Sequence, residues 1–145
     1  MARSIVCLLA SILLIALAGC SPAGAAVAGG APELTYTVSP CQEGIGPGEL
    51  AAWARVDAQA EAGAIHVTQN LSYVCCARVE LSLERSGNLL KLVETNTGEM
   101  CRCMCGYVVD AQIKGLPSGS YTVQVWGVRF EDMQPELLSE VAVTL

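Results

Sequence analysis

The chain reads as all-β, an antiparallel β-sandwich of about 7–8 strands placed after a leader and a flexible tether. Three observations predict this. Apolar residues recur at every second position in several runs. Clusters of Gly, Pro, Asn and Ser separate those runs. The alternation does not occur before residue 33, where the sequence is first continuously apolar and then rich in Ala and Gly.

The first segment runs from Met1 to Gly19. Arg3 supplies a positive charge, and Ile5 to Leu17 is an apolar stretch broken by Ser11. Small residues Ala18 and Gly19 follow, then Cys20. These are the three regions of a secretory signal, in order. A membrane-spanning helix needs about 20 apolar residues, and this run is shorter and has no positively charged stop. Ser21 to Pro32 is built of small residues with Gly and Pro, and is read as a tether of about 17–20 Å reach.

The folded domain is expected over residues 33–145, long enough to bury one core unaided. Glu49 to Ala62 has helix-forming composition, yet Ala52, Ala54, Val56 and Ala58 alternate with Trp53, Arg55, Asp57 and Gln59. A strand ending at a turn on Ala62-Gly63 is preferred, and a helix is the alternative. Ala64 to Thr68 reads as a strand. Val79, Leu81 and Leu83 alternate with Glu80, Ser82 and Glu84 up to a turn at Ser86-Gly87-Asn88. A further turn falls at Asn96-Thr97-Gly98. Tyr107, Val109, Ala111 and Ile113 mark the next strand, and Tyr121, Val123 and Val125 the one after the Pro117-Ser118-Gly119 turn. Phe130 to Glu136 is a polar, acidic loop, and Val141, Val143 and Leu145 close the chain in the same rhythm. Period two is what a half-buried strand requires, because successive side chains point to opposite faces.

Leu17-Ala18-Gly19-Cys20 resembles the lipobox of bacterial lipoproteins. That resemblance implies cleavage before Cys20 and lipidation, including palmitate, of that cysteine. The divisions are then 1–19 signal peptide, 20–32 lipidated cysteine and tether, and 33–145 domain. The implied location is the extracytoplasmic face of the cell membrane or outer membrane, the periplasm in a two-membrane envelope. Since one acyl chain anchors only marginally, several are implied. Gly115-Leu116-Pro117-Ser118-Gly119-Ser120-Tyr121-Thr122-Val123 is similar to the late strands of immunoglobulin-like bacterial domains, where the tyrosine packs near the turn. It implies an immunoglobulin-like sandwich and no particular activity.

With Cys7 and Cys20 removed, six cysteines remain: Cys41, Cys75, Cys76, Cys101, Cys103 and Cys105. An even number in an oxidising compartment points to disulfides. If Cys101 to Cys105 is extended, its thiols share one face, with Cα atoms about 6.6 Å apart at each step. Bonds within that triplet are therefore disfavoured. Adjacent Cys75 and Cys76 point to opposite faces. Cross-links between pair and triplet are the economical solution, with Cys41 stapling the N-terminal segment to the same region.

The competing expectation is a soft-metal site for copper or zinc. Met100-Cys101-Arg102-Cys103-Met104-Cys105 concentrates thiols and thioethers, which select soft ions. Cys75 or Cys76 would add a sulfur and His66 a nitrogen. Against it, the spacing is not that of familiar zinc sites, and on a strand Met100 and Met104 face away from the thiols. Thiol-redox activity is a weaker alternative, lacking a C-x-x-C motif. No nucleophile elbow, phosphate loop or metalloprotease motif is present, so no enzyme is expected. Without Arg3, 14 acidic residues face seven basic ones, which argues against nucleic acid as a partner. The partners expected are the membrane, through the lipid, and an envelope protein whose identity the sequence does not give.

Overall fold

The computed structural model describes residues 31–42 and 47–145. Cys7, the lipobox with Cys20, and most of the tether lie outside the described residues. Among the described residues, eight strands form two four-stranded sheets. One sheet has the order β1 (Glu33–Val38), β6 (Met104–Lys114), β3 (Ala64–Val74) and β2 (Arg55–Glu61). The other has β4 (Val79–Ser86), β5 (Leu89–Asn96), β7 (Ser120–Arg129) and β8 (Glu136–Thr144). The all-β sandwich expected from the alternation is therefore what the chain forms.

The alternating runs place their apolar members inward. Ala111 and Ile113 of β6 are buried against Tyr121, Val123 and Val125 of β7 and Leu90 and Leu92 of β5, while Tyr107 and Val109 are buried with Leu71 of β3 and Val79 of β4. The expected tyrosine packing is found: Tyr121 is buried, and its hydroxyl donates to the Pro117 carbonyl at 2.7 Å. Edge strands bury less. β2 partly buries only Val56 and Ala58, and β8 fully buries only Val143.

Three features differ from the sequence reading. Glu49 to Ala62 is neither all strand nor all helix. A short helix, α1 (Pro47–Trp53), precedes β2. Pro47 suits the first helical position, where its missing N–H is not needed. Second, β1 and β5 were not marked by the alternation. β1 does alternate Leu34, Tyr36 and Val38, but as an edge strand it leaves Tyr36 exposed. β5 is a central strand with a nearly continuous apolar run. Third, the pairing is not antiparallel throughout, because β5 and β7 run parallel. The cause is the path of the chain: after β5 it crosses into the other sheet as β6, then crosses back as β7. Two crossings restore the original direction.

One layer of this core is polar. Gln69 of β3 and Glu94 of β5 are both buried, and Gln69 Nε2 donates to Glu94 Oε2 at 3.4 Å. The apolar cluster around Ile65, Val67, Leu90 and Leu92 lies on one side of this pair, and that around Leu71, Val79 and Cys105 on the other.

Candidate functional site

Two crossings between the sheets lie at one end of the sandwich. Cys75 to Arg78 carry the chain from β3 to β4, and Thr97 to Cys103 carry it from β5 to β6. Register places them together: Val74 pairs with Met104, and Val79 pairs with Asn96. The two crossings are then stitched by backbone hydrogen bonds. Thr97 N donates to Arg78 O at 2.9 Å, Glu99 N to Cys76 O at 3.2 Å, and Cys75 N to Cys103 O at 3.1 Å. Asn96, itself buried, accepts from Arg78 N at 3.0 Å and Gly98 N at 2.8 Å through its side-chain oxygen. Gly98 is needed for this approach. A Cβ there would lie 2.6 Å from Cys76 O and 2.7 Å from Arg78 N, both backbone atoms.

All six cysteines meet at this pole. Cys75 bonds Cys103 and Cys76 bonds Cys101, with Cα separations of 5.5 and 6.0 Å, so both bridges tie one crossing to the other. Cys41 bonds Cys105 with a Cα separation of 5.5 Å, fastening the segment after β1 to β6. The adjacent isolated bridge between Gln42 and Gly106 continues the β1–β6 pairing to that point. The connectivity is nested: each bridge encloses the next in sequence. It is the pair-to-triplet solution, with Cys41 as the staple.

The triplet itself departs from the extended, single-faced expectation. β6 begins only at Met104, so Cys101 and Cys103 belong to the crossing and Cys105 alone to the strand. The sulfurs consequently form two groups, Cys41 with Cys75 and Cys105, and Cys76 with Cys101 and Cys103, each within 4.8 Å. The first is partly to fully buried, and the second is partly to fully exposed. Cys101 Sγ and Cys103 Sγ, of different bridges, are 3.4 Å apart. Tyr107 closes the floor, donating its hydroxyl to Val74 O at 2.8 Å. Burial pushes its pKa above the ordinary tyrosine value, opposed by a backbone hydrogen bond at Ala77.

The other candidate ligands do not join the sulfurs. Met104 is exposed on the face of β6 opposite Cys105. Met100 is half exposed, and its sulfur accepts from Tyr73 Oη at 3.5 Å and Asn96 Nδ2 at 3.8 Å. His66 lies seven positions from Tyr73 along β3, roughly 23 Å away. Its Nε2 accepts from Gln112 Nε2 at 2.7 Å. The imidazole is a sheet-surface group and is removed from the cysteine site.

The sequence reading missed Glu94. It follows Leu90 and Leu92 at the same inward parity, which was the available signal. Its carboxyl is fully buried, Oε1 lacks a hydrogen-bond partner, and burial raises its pKa to about 7 despite the bond from Gln69. The three bridges fix two crossings and one terminal segment to each other. No family model, curated protein or solved structure matches the chain.

Proposed function

We propose that the protein is a membrane-anchored extracytoplasmic lipoprotein, a disulfide-braced structural, binding or accessory module of the cell envelope. The observation that carries this reading is the complete pairing of Cys41, Cys75, Cys76, Cys101, Cys103 and Cys105, the state expected of an oxidising compartment. The path of the N-terminus agrees with anchoring. β1 enters at Glu33 opposite Lys114, at the end of β6 farthest from the cysteines. A chain held by lipid on Cys20 would present its cysteine pole away from the membrane, roughly 30–35 Å from the point of attachment. Substituting Cys20→Ser is expected to release the protein from membranes into the soluble fraction. Unchanged retention would refute the anchor.

The two three-sulfur groups favour a second reading, in which the reduced protein binds copper or zinc. An S₃ thiolate set suits soft ions. Intact mass with thiol and metal counts on protein purified from an oxidising compartment separates the two. A mass six hydrogens below the reduced value with no metal supports the brace. Free thiols with near-stoichiometric copper or zinc support the metal reading.

A further inference from the structure

The two bridges between the crossings stand close enough to exchange with each other. Cys76 is exposed, and its bridge partner Cys101 is half-buried. The Cys76 backbone N–H donates to Cys101 Sγ at 3.1 Å. Cys101 Sγ is also 3.4 Å from Cys103 Sγ, which belongs to the other bridge. Cys75, the partner of Cys103, lines a cavity of about 440 Å³ with Cys41, Tyr36, Tyr107 and Arg78. The four sulfurs of Cys76, Cys101, Cys103 and Cys75 therefore form one line, from an exposed residue to a cavity-lining one.

We propose that these two bridges are a thiol–disulfide relay, which takes electrons from a dithiol at Cys76 and delivers a free thiol at Cys75. In the first step one sulfur of the dithiol, as thiolate, attacks Cys76 Sγ. The Cys76–Cys101 bond breaks, and its electron pair leaves on Cys101. A hydrogen bond to the charged form favours it, so the Cys76 N–H assists this departure. In the second step the Cys101 thiolate attacks Cys103 Sγ, forming a Cys101–Cys103 bond and expelling Cys75 as thiolate. The second sulfur of the dithiol then attacks the first, which frees Cys76 and closes the reductant's own disulfide. Two electrons and two protons pass to the protein, which ends with thiols on Cys75 and Cys76.

The geometry allows the new bond. On an extended strand Cys101 and Cys103 would be too far apart. In the crossing the chain bends at Arg102 and the two sulfurs are already in contact. Arg78 is the charged side chain on the cavity lining, and a nearby cation favours a thiolate, which suits Cys75 as the end of the line. The third bridge holds the pole while the others exchange. Cys105 is 2% exposed, which shields it from external thiols and penalises it as a leaving thiolate.

The test treats the folded, oxidised protein with one equivalent of dithiothreitol, traps thiols with N-ethylmaleimide and maps label and bridges by mass spectrometry after trypsin. Arg102 lies between Cys101 and Cys103, so cleavage there turns their bond into a link between two peptides. The expected product carries label on Cys75 and Cys76, a Cys101–Cys103 link and an intact Cys41–Cys105 bridge. Label on Cys76 and Cys101 with Cys75–Cys103 closed would overturn the relay, the exposed bridge then simply opening. Label on Cys75 and Cys103 with Cys76–Cys101 closed would overturn it too, as would no reaction before the protein unfolds. The double variant Cys76→Ser, Cys101→Ser removes the entry and the carrier but keeps Cys75–Cys103. With near-ultraviolet circular dichroism unchanged, it is expected to lose the labelling of Cys75 under the same treatment. Equal labelling of Cys75 in that variant would show that the reductant reaches the second bridge directly, and would overturn the proposal.

Discussion

Glu94 stands where its neighbours Leu90 and Leu92 place hydrocarbon, and its pKa is raised from 4.5 to about 7 by desolvation. The unfolded chain loses this proton near pH 4.5, whereas the folded chain keeps it until about pH 7. Between those values the native state binds more protons, so stability falls as pH rises. The loss is on the order of 3 kcal/mol, complete above pH 7 and absent below pH 4.5. Denaturant midpoints are therefore expected to be higher at pH 5 than at pH 8. In Glu94→Gln this slope should vanish, and the variant should exceed the parent at pH 8. A parent as stable at pH 8 as at pH 5 would contradict the assignment. At this scale the sequence was informative wherever parity and polarity agreed, as at Tyr107 to Ile113. At Glu94 they conflict, and charge suggested an outward side chain that inward parity overrode.

The hairpin joining β2 and β3 turns on two residues, Ala62 and Gly63, with φ of 50° and 78°. Both positions need positive φ in a turn matching the strand twist, which glycine and asparagine adopt more readily than alanine. Ala62→Asn is expected to stabilise by about 0.5–1 kcal/mol, read as a raised thermal midpoint. Elements were legible in proportion to how locally they are specified. Turn chemistry marked this hairpin, the Ser86–Asn88 turn and the Pro117–Gly119 turn. β5 was visible only as the gap between two turns, because a central strand packed among others need not alternate cleanly. The parallel β5–β7 pairing had no local signal, since it follows from where β6 goes. The meeting of the cysteines was legible as geometry within short spacings. The splitting of the triplet was not, because it depends on β6 beginning at Met104.

For the molecule as a whole, the bridges are partly redundant. Cys75–Cys103 and Cys76–Cys101 span 28 and 25 residues and close almost the same loop. While one remains, removing the other frees little chain. Replacing either pair with serine is expected to cost roughly 1 kcal/mol, and replacing both about 3–4 kcal/mol. Denaturant unfolding of the two single-bridge deletions and the combined deletion measures this non-additivity. Losses that simply add would show that the bridges act separately. Cys41–Cys105 spans 64 residues and has no such understudy, so its removal alone should cost about 4 kcal/mol. The nesting also bears on how the molecule is made. In the exported chain proposed above, Cys41, Cys75 and Cys76 leave the membrane before any native partner does. An oxidant acting in order of emergence would join Cys41 to Cys75 first, a bond absent from the folded protein. Reaching the native set then requires breaking that bond after Cys105 has arrived. Yield in the cell should accordingly depend on a catalyst that reshuffles disulfides, beyond one that merely forms them.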